Sequence, residues 1–444
     1  MILEVVLAIF VLTYGLLIFR KIGDRQIPIW VSMVVGAFLM VATLSISPIN
    51  AFKAIDFSVL GFLFGMLIIT AGFEKSGLIN YFVLWILART KSLNGIILAV
   101  IMGSGFLSAF FVNDTIALLW TPIVLGICAK IGLKEKKALL IPLAFGITIG
   151  STFTPIGNPQ NVLVALNSGM ERPFSSFIEF LAIPTFVSLV VVYYICKSNL
   201  FFGRILGQAS LSNGKLAKSE FENPSSAISD RLLAKESVVV LVLLLVSFAI
   251  AEAFPRIQTL GIAIGGTKIG ITISSLALGF GILLLIISPK REYLLVSLSW
   301  SVLVFFAGMF VVMSAVWNSG IGRTLLNALP SPMHGNNLQS VGAIMPVSII
   351  LSQILSNVPF VQLYSFQMHN LLFGPMDIIP WLAVAAGSTL AGNLTVLGAV
   401  SNVIIIDSAE NRKEKAFGFL EFVKYGALVT LVTALIFTMF LAFA

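Results

Sequence analysis

The sequence predicts an all-α polytopic membrane protein built as two inverted-topology repeats, each with a re-entrant helical hairpin and a broken transmembrane helix. Three observations lead there. The 444-residue chain is 58% hydrophobic and only 10% charged, with a mean hydropathy of +1.04, whereas a soluble domain carries about 25% charged residues. Its apolar segments recur at lengths of about 18 residues or more, enough for a helix to cross a bilayer, and lack the alternation of a membrane barrel. Two of these segments are interrupted by polar residues at corresponding places in the two halves of the chain.

The first interruption is GSTFTPIGNPQN, residues 150–161, inside the apolar run 138–166. Proline removes a backbone donor and clashes with the preceding turn, so Pro155 and Pro159 argue against a continuous helix. Broken backbone at membrane depth persists only where it is buried in protein or lines a wet cavity. Two half-helices with a polar middle are expected, with Ser151, Thr152, Thr154, Gly157, Asn158 and Asn161 as substrate- or ion-binding candidates. The second interruption, GSTLAGNLTVLGAVSN at 387–402 within 380–406, adds Ser388, Thr389, Asn393, Thr395, Gly398 and Asn402. Allowing one gap of four residues, the two GST runs align, and Thr154, Gly157 and Asn161 fall on Thr395, Gly398 and Asn402. Discontinuous helices in matching positions point to a transport site.

Taken in order, residues 1–54 hold two N-terminal spans, 2–19 and 27–46, the first ending on Arg20, Lys21 and Arg25. Repeat 1, residues 55–196, begins with a span at 57–73 and a shorter amphipathic piece at 78–88 suited to the membrane interface. A hairpin at 93–129 follows, with Asn113, Asp114 and Thr115 at its middle, then the broken span and a span at 177–196. The polar stretch within 197–235, rich in Ser, Asn, Gly and Lys, reads as a cytoplasmic linker. Residues 236–297 hold scaffold spans at 237–253 and 270–288. Repeat 2, residues 298–444, has a span at 299–317, a hairpin at 341–373 with Ser356 and Asn357 at its middle, the broken span 380–406 and a last span at 417–443. The repeat is wider than the breaks. FSVLGFLFGMLIITAGFEKSGL from Phe57 aligns without gaps to WSVLVFFAGMFVVMSAVWNSGI from Trp300, and Asn113 then falls against Asn357.

Charge sets the orientation. With the first basic loop inside, the clusters at Lys130, Lys134, Lys136 and Lys137, at Lys290 and Arg291, and at Arg412 to Lys415 also fall inside. Lys53, Arg172, Arg256, Lys268 and Arg323 fall outside. This asymmetry accounts for the formal charge of +8 without nucleic acid, and it orients the two halves oppositely. Both termini are then outside an integral multi-pass protein of the cell membrane, in contact with the lipid bilayer. The N-terminus lacks a basic n-region and a cleavage site and reads as a retained span rather than a signal peptide. Cys128 and Cys196 lie in apolar segments without metal-ligand spacing and read as inert buried thiols.

At a helix break, half-helix N-termini offer N–H groups and a positive dipole end to an anion. Freed carbonyls, with Asn, Ser and Thr oxygens, suit a hard cation such as Na⁺, here between Asn113 and Asn161 and between Asn357 and Asn402. Ser and Thr in membrane helices also serve interhelical packing, as do the Gly61xxxGly65 and Gly146xxxGly150 pairs. Asp114 is the one acid deep in an apolar run, because Glu179, Glu252 and Asp407 lie near span ends where solvation accounts for them. An ionisable group within a membrane segment marks a functional site, so Asp114 is the candidate for proton coupling. Val358 occupies the matching place, leaving no paired carboxylate. His334 reads as an external loop residue and His369 as lying near an external span end, neither with a part in coupling.

The Asn113-Asp114-Thr115 hairpin, STFTPIGNPQN and GSTLAGNLTVLGAVSN resemble the signatures of the ion transporter superfamily. Nearest are the arsenite permeases and the sodium/proton antiporter and citrate-transporter-like branches, over about 56–410 of this chain. The resemblance implies a scaffold, a mobile transport domain with two inward-pointing hairpins, and elevator-type alternating access; many members are homodimers. Symporters of the superfamily carry Ser-Asn-Thr motifs at sodium sites, whereas Val112-Asn113-Asp114-Thr115 and Ser356-Asn357-Val358 stand here, which favours protons over sodium. The expectation is a secondary active transporter, not an enzyme, moving a small anion or arsenite-like oxyanion with H⁺ as coupling ion and no cofactor. The alternatives are a sodium-coupled di- or tricarboxylate carrier or a sodium/proton antiporter. From another class come a passive anion channel and the membrane subunit of an ATP-driven pump. The pump would need a separate ATPase subunit, since no GxxxxGK[ST] run is present. HExxH and GxSxG are absent as well.

Overall fold

The computed structural model describes residues 2–19, 21–22, 25–26, 28–90, 92–198, 224–254, 261–264 and 267–444. Most of the expected linker, residues 199–223, and the charges of Arg20, Lys91 and Arg256 lie outside the described residues. Twenty α-helices run through the described residues, and they fall into two sets of ten in the same order. The first set is α1 (Ile2–Phe19), α2 (Ile29–Ala42), α3 (Pro48–Ala54), α4 (Phe57–Lys75), α5 (Leu78–Leu87), α6 (Leu93–Ser108), α7 (Asn113–Lys130), α8 (Lys137–Gly150), α9 (Pro159–Asn167) and α10 (Pro173–Lys197). The second is α11 (Arg231–Ala253), α12 (Ile273–Ile287), α13 (Arg291–Val296), α14 (Trp300–Asn318), α15 (Ile321–Asn327), α16 (Asn337–Leu355), α17 (Asn357–Asn370), α18 (Ile378–Leu390), α19 (Val400–Glu410) and α20 (Phe419–Ala442). Even the two short antiparallel ladders correspond: Lys21–Ile22 with Arg25–Gln26 lies between α1 and α2, and Gly261–Ile264 with Thr267–Gly270 between α11 and α12.

The sets exchange partners. Helix α4 of the first packs along α12 of the second, and α14 packs along α2; likewise α7 lies along α19, and α17 along α9. Small residues allow these approaches, since helices in lipid associate by close packing. A Cβ on Gly65 would strike the Ala277 backbone, and one on Gly308, its aligned partner, would sit 3.0 Å from Met33 C. Within each half, α6 packs on α8 and α16 on α18. There a Cβ on Gly150 would collide with the Gly105 backbone. The Gly146 and Gly150 pair is therefore a packing device, while Gly61 makes only ordinary contact with Leu278.

Helices α4, α10, α11, α14, α16 and α20 are long and apolar enough to cross a membrane. The amphipathic piece at 78–88 is α5, with Leu78, Ile79, Val83 and Leu87 buried and Phe82 and Trp85 outward. Between the spans at 27–46 and 57–73 lies α3. Ser47 caps it by accepting from Asn50 N (3.3 Å), and Pro48 opens it, the residue pair that favours a helix start.

Candidate functional site

At the first break α8 gives way to a 3₁₀ turn at Ser151–Phe153, extended backbone follows, and α9 starts at Pro159. Asn158 caps α9, its Oδ1 accepting from Asn161 N (2.9 Å). The Asn161 Nδ2 donates to the carbonyls of Ser151 (3.0 Å), Thr152 (3.0 Å) and Thr154 (2.9 Å), so one carboxamide satisfies the carbonyls that the unwinding of α8 leaves over. Thr154 Oγ1 accepts from Gly157 N (3.1 Å) and donates to the Ala109 carbonyl of the first hairpin, while Asn113 N donates to Gly157 O (3.2 Å). The tip of the α6–α7 hairpin is thereby tied to the break by two bonds. Ser151 Oγ donates to Thr148 O (2.9 Å) and accepts from Asn158 Nδ2 (3.1 Å); Thr152 Oγ1 donates to the same carbonyl (3.4 Å). Thr115 is half-buried in the first turn of α7.

The second break repeats the device. Asn402 Nδ2 donates to Gly392 O (2.7 Å) and Thr395 O (3.3 Å), and Thr395 Oγ1 accepts from Gly398 N (3.2 Å). Ser151, Thr154, Gly157 and Asn161 thus match Gly392, Thr395, Gly398 and Asn402 at constant spacing, with no gap. This corrects the expected alignment of the two GST runs. Gly387 is the counterpart of Gly146: each is where the helix meets its hairpin, a Cβ on the first falling 3.3 Å from Met345 O and on the second 2.7 Å from Ile101 O. Ser388 lies before the break and donates to Ala385 O within its own helix (3.1 Å). Sequence identity in small residues had outweighed the hydrogen-bonding register.

Thr389 reaches the other half. Its hydroxyl donates to Asn161 Oδ1 (3.3 Å) and accepts from Asn158 Nδ2 (3.2 Å) and Gln160 Nε2 (3.4 Å). The counterpart groups are left over: the Thr148 and Ser401 hydroxyls and Asn402 Oδ1 are buried without a protein partner, as are the side-chain N and O of Asn393, the counterpart of Thr152. Asn113 Oδ1 and Asn357 Oδ1 at the two hairpin tips are in the same condition.

Gln353, not singled out from the sequence, joins α16 to the second break. Its Oε1 accepts from Thr395 Oγ1 (2.8 Å), and its Nε2 donates to Ala391 O (2.8 Å) and Ile349 O (3.1 Å). The only signal was a carboxamide inside an apolar hairpin helix, set against Ala109 in the other half. Three residues on, Ser356 has φ +63° and ψ 158°, a region essentially reserved for glycine and costing on the order of 1–3 kcal/mol.

A cavity of about 150 Å³ lies between these elements and α1, α2 and α14. Asp114, Pro159, Ser356, Val358 and Val400 line it, so the N-termini of α7, α9, α17 and α19 converge on one space. Tyr14, Phe305 and Phe306 close the far side. Half-buried Asp114 is the acidic side chain in this lining. Glu252 departs from expectation. It is only 3% exposed and accepts from Phe174 N (2.7 Å), Ser175 N (2.8 Å) and Ser175 Oγ (2.5 Å). Burial against the positive end of α10, rather than solvation, accounts for this carboxylate.

The sequence profile of the citrate transporter (CitMHS) family matches residues 14–386. The chain belongs to that family. It is 29% identical over 438 residues to an uncharacterized transporter of Mycobacterium tuberculosis, covering 97% of this chain and 95% of the relative. It is 26% identical over 441 residues to the silicon efflux transporter LSI3 of Oryza sativa, covering 90% of each. Among solved structures, MtrF of Neisseria gonorrhoeae, described as one of a class of antimetabolite efflux pumps, shares the fold with a TM-score of 0.55 at 15% identity, over 98% of this chain and 94% of that one. The YdaH transporter of Alcanivorax borkumensis gives 0.50 at 13% identity, over 100% and 97%. This member of the citrate transporter family is a multi-pass membrane transporter of the ion transporter superfamily.

Proposed function

We propose that this transporter is a secondary active carrier of a small anion or oxyanion, coupled to protons through Asp114. The observation that carries the reading is the convergence of four helix N-termini on one cavity beside a single carboxylate. Helix N-termini stabilise negative charge, so the cavity suits arsenite-derived or sulfate-like oxyanions and carboxylates. The family's name adds citrate to that set, and the rice relative adds silicate. Asp114 stands inside the same dipole field, where a proton on its carboxyl changes the charge offered to the substrate. The exchanged pairs α4–α12 and α2–α14 supply a scaffold against which the hairpins and broken helices move as an elevator. The charge distribution supports opposite orientations of the halves, both termini outside and the linker cytoplasmic.

A second reading, sodium coupling, is favoured by one feature: Asn357 Oδ1 and Asn402 Oδ1 are buried oxygens without a protein partner, the donor type that a hard cation takes. Reconstitution in liposomes with an imposed pH gradient, tested with arsenite, silicate, sulfate, citrate and Na⁺ side by side, separates the two. Proton-driven anion flux without sodium supports the first; a strict sodium requirement overturns it. Unsaturable flux that no gradient drives uphill overturns both in favour of a channel.

A further inference from the structure

We propose that Gln353 is a positioning residue whose carboxamide latches the tip of the second hairpin to the second helix break, making this tip the movable wall of the cavity. The two halves differ here in a specific way. Asn113 and Asn357 are equivalent, so Gln353 stands where Ala109 stands in the first half, four positions before the asparagine. In the first half the stitch uses backbone: Thr154 donates to the Ala109 carbonyl, and Asn113 N donates to Gly157 O (3.2 Å). On the hairpin side both groups, the Ala109 carbonyl and the Asn113 N–H, belong to the backbone and cannot leave without bending the hairpin itself. In the second half the stitch runs through one side chain, with Thr395 Oγ1 donating to Gln353 Oε1 (2.8 Å) and Gln353 Nε2 donating to Ala391 O (2.8 Å). Among the described residues, Asn357 N makes no bond to Gly398 O like that of Asn113 N to Gly157 O. A rotation about the Gln353 side-chain torsions releases the tip with both helices intact.

Two further features belong to this latch. A Cβ on Gly398 would lie 3.0 Å from Gln353 Oε1, so the break is shaped to seat the carboxamide. Ser356, between Gln353 and the start of α17, is held in the glycine region of backbone space at φ +63°, whereas Val112, its counterpart, sits relaxed at φ −55° and ψ 124°. A strained residue persists only where its surroundings over-determine it, so release of the latch lets this peptide relax. Gln353, Ser356 and Val358 all line the cavity, and a shift of this tip changes the cavity's shape and its access.

The inference rests on the cavity being the transport path, but its test reads motion of the tip without any flux. In the full chain in liposomes, with Cys128 and Cys196 replaced by alanine, Val358→Cys is labelled by a membrane-impermeant thiol reagent and the rate recorded. Gln353→Ala should raise that rate about tenfold, the scale of one lost hydrogen bond in a local opening equilibrium. Thr395→Val, which cuts the Thr395–Gln353 bond and leaves Gln353 Nε2 on Ala391 O, should raise it by a smaller factor, and the double variant should match Gln353→Ala, which already lacks the shared bond. Ser356→Gly should slow labelling by removing the strain. Thr154→Val, which cuts the first-half stitch, should leave the rate at Val358→Cys unchanged. Labelling within about twofold of the parent in a monodisperse Gln353→Ala protein overturns the latch. So does additivity of Gln353→Ala with Thr395→Val; should Gln353→Ala fail to fold, the Thr395→Val and Ser356→Gly rates decide in the same way. A failed flux assay with these rates intact would remove the substrate reading and leave the latch standing.

Discussion

Thr389 donates its hydroxyl to Asn161 Oδ1 at 3.3 Å, binding two residues that lie 228 positions apart. The bond fixes which way the Asn161 carboxamide faces, because with Oδ1 held, Nδ2 is aimed at the carbonyls of Ser151, Thr152 and Thr154. Thr389→Val keeps the shape and removes the hydroxyl, stranding the buried Asn161 Oδ1 and one bond each of Asn158 and Gln160. The expected cost is about 1–3 kcal/mol, the penalty of a buried polar group left unsatisfied. Unfolding midpoints in detergent should show this, and Thr389→Ser should recover most of it. Equal stability of Thr389→Val and parent would mean that the bond does not order the break.

Asp114 can be tested against its isostere. Asp114→Asn keeps the volume and the cavity lining while removing the titratable group, so the protein should insert and remain monodisperse. Transport in liposomes should lose its dependence on an imposed pH gradient. Retained proton-driven flux in that variant would exclude Asp114 as the coupling group.

The breaks and hairpins were legible because proline and asparagine inside an apolar run have few physical explanations. Asn161 and Asn402, picked out as substrate- or ion-binding candidates, hold the carbonyls of the two unwound turns. What escaped notice depends on contacts between distant segments. Gln353 reads as one polar residue in an apolar helix until Thr395 is seen against it. Glu252 reads as a solvated span end until Phe174 and Ser175 are seen above it. The repeated GST runs misled because identity in three small residues carries no information on register, whereas the Asn-to-carbonyl bonds do. The exchange of α4 with α12 and α14 with α2 had no local signature either, since glycines such as Gly65 and Gly281 announce close approach but not the partner.

Glu252 joins α11 to the start of α10, and its removal should be felt as stability. Glu252→Ala leaves Phe174 N and Ser175 N at a buried helix terminus without their acceptor. Hydrogen bonds to a charged group are worth about 1.5–3 kcal/mol each, so the variant should unfold well below the parent in a detergent melt or denaturant series. Glu252→Gln keeps one carbonyl oxygen and should fall between the two. A Glu252→Ala protein as stable as the parent would show that water replaces the carboxylate and that the cap is dispensable.

His334 supplies a pH dependence outside the membrane segments. Its ring packs on Phe373 with centroids 4.0 Å apart, Nε2 lies 2.9 Å from Leu371 O, and Nδ1 lies 3.3 Å from Asp377 Oδ1. The Leu371 carbonyl foremost, then the Asp377 carboxylate, hold the imidazolium above the usual histidine range. Because the folded-state pKa is raised, the contribution to stability is fully present below the unfolded value of about 6.5 and is lost as pH rises through the higher folded value. Unfolding midpoints should therefore decline as pH rises through the upper part of that window, and His334→Gln should flatten this segment of the profile. Asp377→Asn should shrink the decline without abolishing it, since the Leu371 carbonyl acts on the ring independently. A His334→Gln profile parallel to the parent's would place the pH dependence in other groups.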